Sequence, residues 1–111
     1  MNTTGEFRDY IVENLGEDVT TRKMMGEYCV YYRGKLVGDI CDNCLFLKKT
    51  ETSVRLLKGA EEGYPYEGSK TLMLMVENVE DRALMAQVLQ GMYAELPEPK
   101  KKKKKQQKID G

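Results

Sequence analysis

Two residue pairs, Arg33-Gly34 and Asp42-Asn43, interrupt runs of alternating side chains, and they constrain this chain more than any other feature. Glycine, aspartate and asparagine tolerate the left-handed backbone that a two-residue hairpin loop demands. The run before the first pair, Tyr28-Cys29-Val30-Tyr31-Tyr32, is dense in aromatic and β-branched residues, which suit a pleated surface. Leu36 to Cys41 returns after it, and Cys44 to Lys48 returns after the second pair. Residues 24–47 are therefore expected to form a three-stranded antiparallel meander, with residues 17–21 as a connector before it.

The loops also set a register. Two-residue loops place Tyr32 opposite Lys35 and Cys41 opposite Cys44, and strict alternation then divides the side chains between two faces. One face carries Cys29, Tyr31, Leu36, Gly38, Ile40, Leu45 and Leu47. It is nearly all apolar and is expected to meet the helices. The other carries Tyr28, Val30, Tyr32, Lys35, Val37, Asp39, Cys41, Cys44, Phe46 and Lys48. Tyr28, Val30, Tyr32, Val37 and Phe46 make it more apolar than a wet face requires, so they form a candidate partner face. Tyr28, Tyr32 and Phe46 would be its aromatic anchors. The same face offers a route to a homodimer. A half-exposed sheet face with scattered apolar residues is the plainer alternative.

Helices are expected on either side. Thr3 or Thr4 can cap a helix in which Phe7, Tyr10, Ile11 and Leu15 recur at helical spacing, and Gly16 ends it. Glu51 to Lys58 reads as a short helix with Val54 and Leu57 inward. Residues 60–70 read as a loop and Thr71 to Glu77 as a strand. From Glu80 to Leu96, Leu84, Val88, Met92 and Leu96 repeat every four residues, widened by Met85 and Leu89. Pro97 and Pro99 end the ordered pattern. The reading is an α+β, two-layer fold: an antiparallel sheet with helices packed on one face, in the order α-β-β-β-α-β-α.

The length of 111 residues fits one domain. The formal net charge of zero hides a division. Residues 1–96 hold eleven basic and sixteen acidic side chains, whereas residues 97–111 hold seven lysines against Glu98 and Asp110. Residues 1–96 are thus expected to be an acidic folded domain and 97–111 a disordered lysine-rich tail. Within the tail, Lys100, Lys101, Lys102, Lys103, Lys104, Lys105 and Lys108 form a candidate electrostatic segment. It could attract nucleic acid weakly and without sequence preference, or simply solubilise the chain. No aromatic residue interleaves with it, so base stacking is not expected. The start of the chain shows no basic-then-apolar signal, and no run approaches the ~18 apolar residues of a membrane span. A cytoplasmic protein without membrane contact is expected.

Chemistry-bearing patterns are few. The chain has no histidine, which removes imidazole metal sites and histidine-activated nucleophiles. Cys41-Asp42-Asn43-Cys44 is a C-x-x-C, but it straddles a hairpin turn instead of opening a helix, where a redox motif gains its thiolate stabilisation. Cys41 and Cys44 remain a candidate redox pair, since cysteines facing each other across a hairpin can oxidise. Cys29 falls on the opposite face in this register. A zinc site would need further ligands. The glycines form no phosphate loop. Glu61-Glu62 and Glu80-Asp81 read as solvated surface, and the methionines, Met24-Met25 included, as core packing. No enzyme activity and no cofactor are expected.

Met24-Met25-Gly26-Glu27-Tyr28, Val30-Tyr31, Gly34-Lys35, Ile40-Cys41-Asp42 and Leu45-Phe46-Leu47-Lys48, taken in order, resemble the N-terminal domain of the TfoX/Sxy family. Tyr64-Pro65-Tyr66, the strand from Lys70 to Val76 and the final helix extend the resemblance over residues 7–96. Met25 stands where the family usually has Phe, Glu27 where it has a second Gly, and Cys29 where Gly is common. The resemblance implies a stand-alone α+β domain without the family's second, helical domain. It further implies a non-enzymatic bacterial regulator of competence for DNA uptake, acting by contact with proteins of the transcription machinery. Longer members are coactivators with the cyclic-AMP receptor protein. The resemblance supplies no catalytic residue.

Overall fold

Three successive two-residue turns fold residues 19–47 back and forth. Arg33-Gly34 has φ of 50° and 86°, and Asp42-Asn43 has 52° and 54°. Met25-Gly26 makes a third such turn, at 52° and 85°. Positive φ at both central residues matches the twist of the flanking strands. The computed structural model describes residues 3–97. Its elements are α1 (Gly5–Leu15), β1 (Val19–Met24), β2 (Glu27–Tyr32), β3 (Lys35–Cys41), β4 (Cys44–Leu47), α2 (Glu51–Leu56), β5 (Glu61–Gly63), β6 (Met73–Val76) and α3 (Arg82–Glu95). The strands form one antiparallel sheet in the order β1-β2-β3-β4-β6-β5. The α+β reading with helices on one face therefore holds. The meander has four strands, however, because residues expected to be a connector pair with β2. The third turn was hidden because methionine is not a turn signal. β5 is a second added strand, inside the expected loop.

The register of β3 against β4 is the expected one, with Ile40 opposite Leu45 and Cys41 opposite Cys44. Between β2 and β3 it is not. Tyr32 opposes Lys35 and Tyr31 opposes Leu36, but Val30 opposes Gly38. Val37 is the extra residue of a β-bulge, and a one-residue insertion reverses the faces on either side of it. The cause is steric. A Cβ on Gly38 would lie 2.0 Å from the Phe46 carbonyl oxygen. Only glycine lets β3 approach β4 this closely, and the bulge forms beside it.

The bulge corrects the expected faces. Tyr28, Val30, Tyr32 and Val37 join Ile40, Leu45 and Leu47 in the core beneath the helices. Cys29, Tyr31 and Leu36, expected to meet the helices, alternate onto the other face. Of the candidate partner face, only Phe46 lies opposite the helices, in a small buried cluster with Cys41 and Met73.

The helices complete the core. The Thr4 hydroxyl accepts the Phe7 N–H at 3.0 Å, and Gly16 ends α1 at φ 107°. Asp81 caps α3, accepting from the Leu84 N–H at 3.2 Å. Met85, Val88, Leu89 and Met92 are its buried stripe. α2 and α3 touch where a Cβ on Gly91 would lie 2.4 Å from the Thr52 methyl. Glu95 accepts from both the N–H and the hydroxyl of Thr52. This contact turns Thr52 and Ser53 inward and leaves Val54 exposed against expectation, while Leu57 is buried in the core as expected. Met24 and Met25 are likewise exposed rather than core.

Two hairpin turns are tied together by the chain's start. The Thr3 N–H donates to the Gly26 carbonyl at 3.2 Å, and its hydroxyl donates to the Glu27 carboxylate at 2.6 Å. That hydroxyl accepts from the Asn43 N–H, while the Asp42 N–H donates to Glu27.

Neighbouring tyrosines should therefore behave oppositely. Tyr32→Ala should destabilise by about 3 kcal/mol through loss of core packing, and Tyr31→Ala by less than about 1 kcal/mol, as read by urea unfolding. Gly38→Ala should lower stability by about 3 kcal/mol, since neither strand backbone can yield.

Candidate functional site

The sheet face away from the helices is the candidate site, because it carries the chain's thiols and half-exposed large apolar side chains. β2 supplies Cys29 and Tyr31, β3 supplies Leu36, Asp39 and Cys41, and β4 supplies Cys44 and Phe46. Met73 and Met75 extend it from β6. Tyr31 and Leu36 face each other directly across β2 and β3, and both are half-buried. An aromatic paired with an aliphatic residue is a stable cross-strand unit. Left half-exposed, it offers apolar area at small entropic cost to a partner.

All three cysteines sit on this face, which corrects the expectation that Cys29 lies opposite the other two. They are free thiols. Cys41 and Cys44 oppose each other across the Asp42-Asn43 turn, as the sequence implied. Their chemistry is subdued. Burial, with help from the charges of Asp39 and Glu27, pushes the Cys41 thiol up to about 12. Burial and Glu77 raise Cys44, and burial and Asp39 raise Cys29. A redox or nucleophilic cysteine needs the opposite, an electropositive setting that favours the thiolate. The Asp39 carboxyl is itself raised by burial, opposite Cys29 in the ladder. The Cys29 sulfur lies 3.7 Å from that of Met24. Among the described residues, no group of three histidine, cysteine or acidic side chains could hold a metal.

The opposite end of the β2–β3 hairpin is a structural seam. Lys35 is only 8% exposed, and its ammonium donates to the Tyr93 carbonyl at 2.8 Å and the Leu96 carbonyl at 2.9 Å. It also lies 4.2 Å from the Tyr93 ring centroid. A cation against the last carbonyls of a helix complements the helix dipole. Arg33 pairs with Asp18 at 3.1 Å and stacks over Tyr32 at 5.2 Å. The Gly34-Lys35 element thus locks the hairpin to α3. A cavity of about 500 Å³ beyond α2 is lined by Leu56, Lys58, Glu61, Met75 and Glu77 among others.

The site's anchors differ from those the sequence suggested. Tyr28, Val30, Tyr32 and Val37 are core, Phe46 is on the site face but buried, and Tyr31 and Leu36 were missed. The signal was present: a glycine inside a strand pattern marks a bulge or a close backbone approach. The seven lysines of the candidate electrostatic segment lie outside the described residues.

Comparison with known proteins gives a consistent picture. The TfoX N-terminal domain family matches residues 11–99. The chain is 33% identical over 107 residues to a Spirochaeta aurantia protein described as an uncharacterized 12.7 kDa protein in the trpE 5′ region. The similarity covers 95% of this chain and 93% of that relative. No solved structure matches.

The raised thiol has a consequence for pH. Above the ordinary thiol value of 9.0 the unfolded chain ionises at Cys41 while the folded one does not until about 12. Folding stability should therefore fall as pH rises through that window, and Cys41→Ala should fall less steeply than wild type in urea titrations.

Proposed function

The chain belongs to the TfoX N-terminal domain family, and we propose that it is a non-catalytic regulatory domain of the competence-regulator type. It acts in the cytoplasm by protein–protein contact in transcriptional control. The observation that carries this reading is the sheet face free of helices, where Tyr31 and Leu36 stand paired and half-exposed. Raised thiols and the lack of a metal-ligand cluster among the described residues favour contact over chemistry.

The test is genetic and biophysical. Tyr31→Glu keeps the core tyrosines intact but places a charge at the centre of the contact face. A strain carrying it should reproduce the transcript changes seen on deleting the gene, while the purified variant unfolds within a few degrees of wild type. Wild-type transcript levels in both strains would overturn the regulatory reading.

A second reading rests on the run Lys100 to Lys105: a nucleic-acid-associated protein held by its lysines. The full chain should then bind duplex DNA with a log–log salt slope of about −6, and a chain ending at Leu96 should not bind. Equal binding by both, or by neither, argues against it.

A further inference from the structure

β1 is an edge of the sheet, and among the described residues no strand pairs with its outer side. The other edge, β5, is three residues long, and its Glu62 is paired with Lys49 at 3.1 Å. Short, charged edges resist pairing. β1 is six residues long and contains neither proline nor glycine.

The hydrogen-bonding parity of β1 can be worked out. In an antiparallel ladder, residues alternate between those that exchange both backbone bonds with the neighbour and those that aim both groups away. The Arg33 N–H donates to the Asp18 carbonyl at 2.9 Å, so Asp18 is of the first kind. Thr20, Arg22 and Met24 follow at every second position. Val19, Thr21 and Lys23 aim outward, and the Val19 N–H accordingly donates to Gly16 instead of β2. Thr21 and Lys23 therefore present two N–H groups and two carbonyls to whatever lies beside the strand.

Charge selects the occupant. β1 carries Arg22 and Lys23, both exposed, and no acidic residue. Among the described residues neither side chain forms an ion pair. Two copies pairing antiparallel through β1 would crowd both Arg22 and both Lys23 into one seam. The lysine-rich segment after Pro97 has the same sign and is repelled as well. A strand bearing carboxylates would meet opposite charges there. At the far end of the strand, Met24 is 52% exposed, and Met25, in the turn, is 94% exposed at a left-handed φ that methionine rarely adopts. They offer apolar contact to the end of the incoming strand.

We propose that the free edge of β1 accepts an extended acidic segment of a partner protein as a seventh strand, through Thr21 and Lys23 backbone groups and Arg22 and Lys23 charge. This rests on the protein-contact reading above and names its surface and the chemistry of its partner. Main-chain bonds supply affinity in such strand addition, and side chains supply selectivity.

The experiment is fluorescence anisotropy on the full chain with three labelled synthetic peptides. One alternates glutamate and valine, one lysine and valine, and one glutamate and proline, which has the charge but cannot pair as a strand. The first should bind, and the other two about tenfold or more weaker. Because the lysine-rich segment also attracts acidic peptides, the decisive readout is Thr21→Pro, which retains that segment. Proline there removes an outward N–H without touching the β1–β2 ladder, a position edge strands tolerate. It should weaken the glutamate–valine peptide about tenfold with the circular dichroism unchanged. Should Thr21→Pro unfold, Arg22→Glu with Lys23→Glu gives the second readout, a reversed preference between the glutamate and lysine peptides. Unchanged binding in a folded Thr21→Pro, equal binding of the glutamate–proline peptide, or unreversed preference would overturn the proposal. So would a wild-type dimer in sedimentation equilibrium that Thr21→Pro dissociates, since a second copy would then be the occupant. Any of these failures, combined with intact transcript effects of Tyr31→Glu, would sink the edge and leave the regulatory reading standing.

Discussion

The close approach of Gly38 to the Phe46 carbonyl is the constraint on which the rest of the structure depends. With no Cβ there, β3 presses against β4 and forms its bulge at Val37. The bulge reconciles two demands that a regular strand could not meet together. Lys35 and Val37 must face the helices at one end of β3, and Ile40 must face them at the other. Three and five residues separate the former pair from Ile40, an odd spacing that alternation alone forbids. One inserted residue repairs the parity. It also decides that Tyr28, Val30 and Tyr32 are core and that Tyr31 is surface.

Lys35 shows why that parity matters beyond packing. Its position puts an ammonium on the final carbonyls of α3 and over the Tyr93 ring, while Tyr32 meets the same ring edge-on at a centroid distance of 6.0 Å. A long charged side chain can bury its stem and still satisfy its head when helix carbonyls are the acceptors. At the other end of the meander, Thr3 and Glu27 bind the β1–β2 and β3–β4 turns together. The two ends are held by polar groups and the middle by apolar ones.

How much was legible follows from the same residues. Turn chemistry marked Arg33-Gly34 and Asp42-Asn43, and the fourfold spacing of Val88 and Met92 marked α3. These are local signals, and the structure keeps them. The turn at Met25-Gly26 carries only half a signal, so Val19 to Thr21, the first half of β1, reads as a connector. Val54 satisfies helical spacing, yet Thr52 faces inward because it meets Gly91 and Glu95, which lie far along the chain on α3. The face assignment failed for a different reason. Alternation from each loop gives the nearest pairs correctly and fails only across Val37-Gly38. In a strand, a single insertion reverses every position beyond it, so Tyr28, Val30 and Tyr32 change face together.

The corrected faces also change what kind of protein surface this is. With Tyr28 and Tyr32 in the core, the sheet's open side is a narrow apolar strip around Tyr31 and Leu36, beside thiols held in their neutral form by burial and neighbouring carboxylates. Such a strip gives contact area but little directional selectivity. Direction comes from the adjoining edge, where backbone groups and the cations of β1 are presented together. The folded part of the chain is acidic in total, yet exposed charges act over about a Debye length, roughly 8 Å at physiological salt. On β1 itself the charged side chains are Arg22 and Lys23, with Asp18 just before the strand and Glu27 across from Met24 at its far end. A partner strand therefore experiences a basic edge on an acidic body, a combination that favours one alignment on one edge over loose attachment elsewhere.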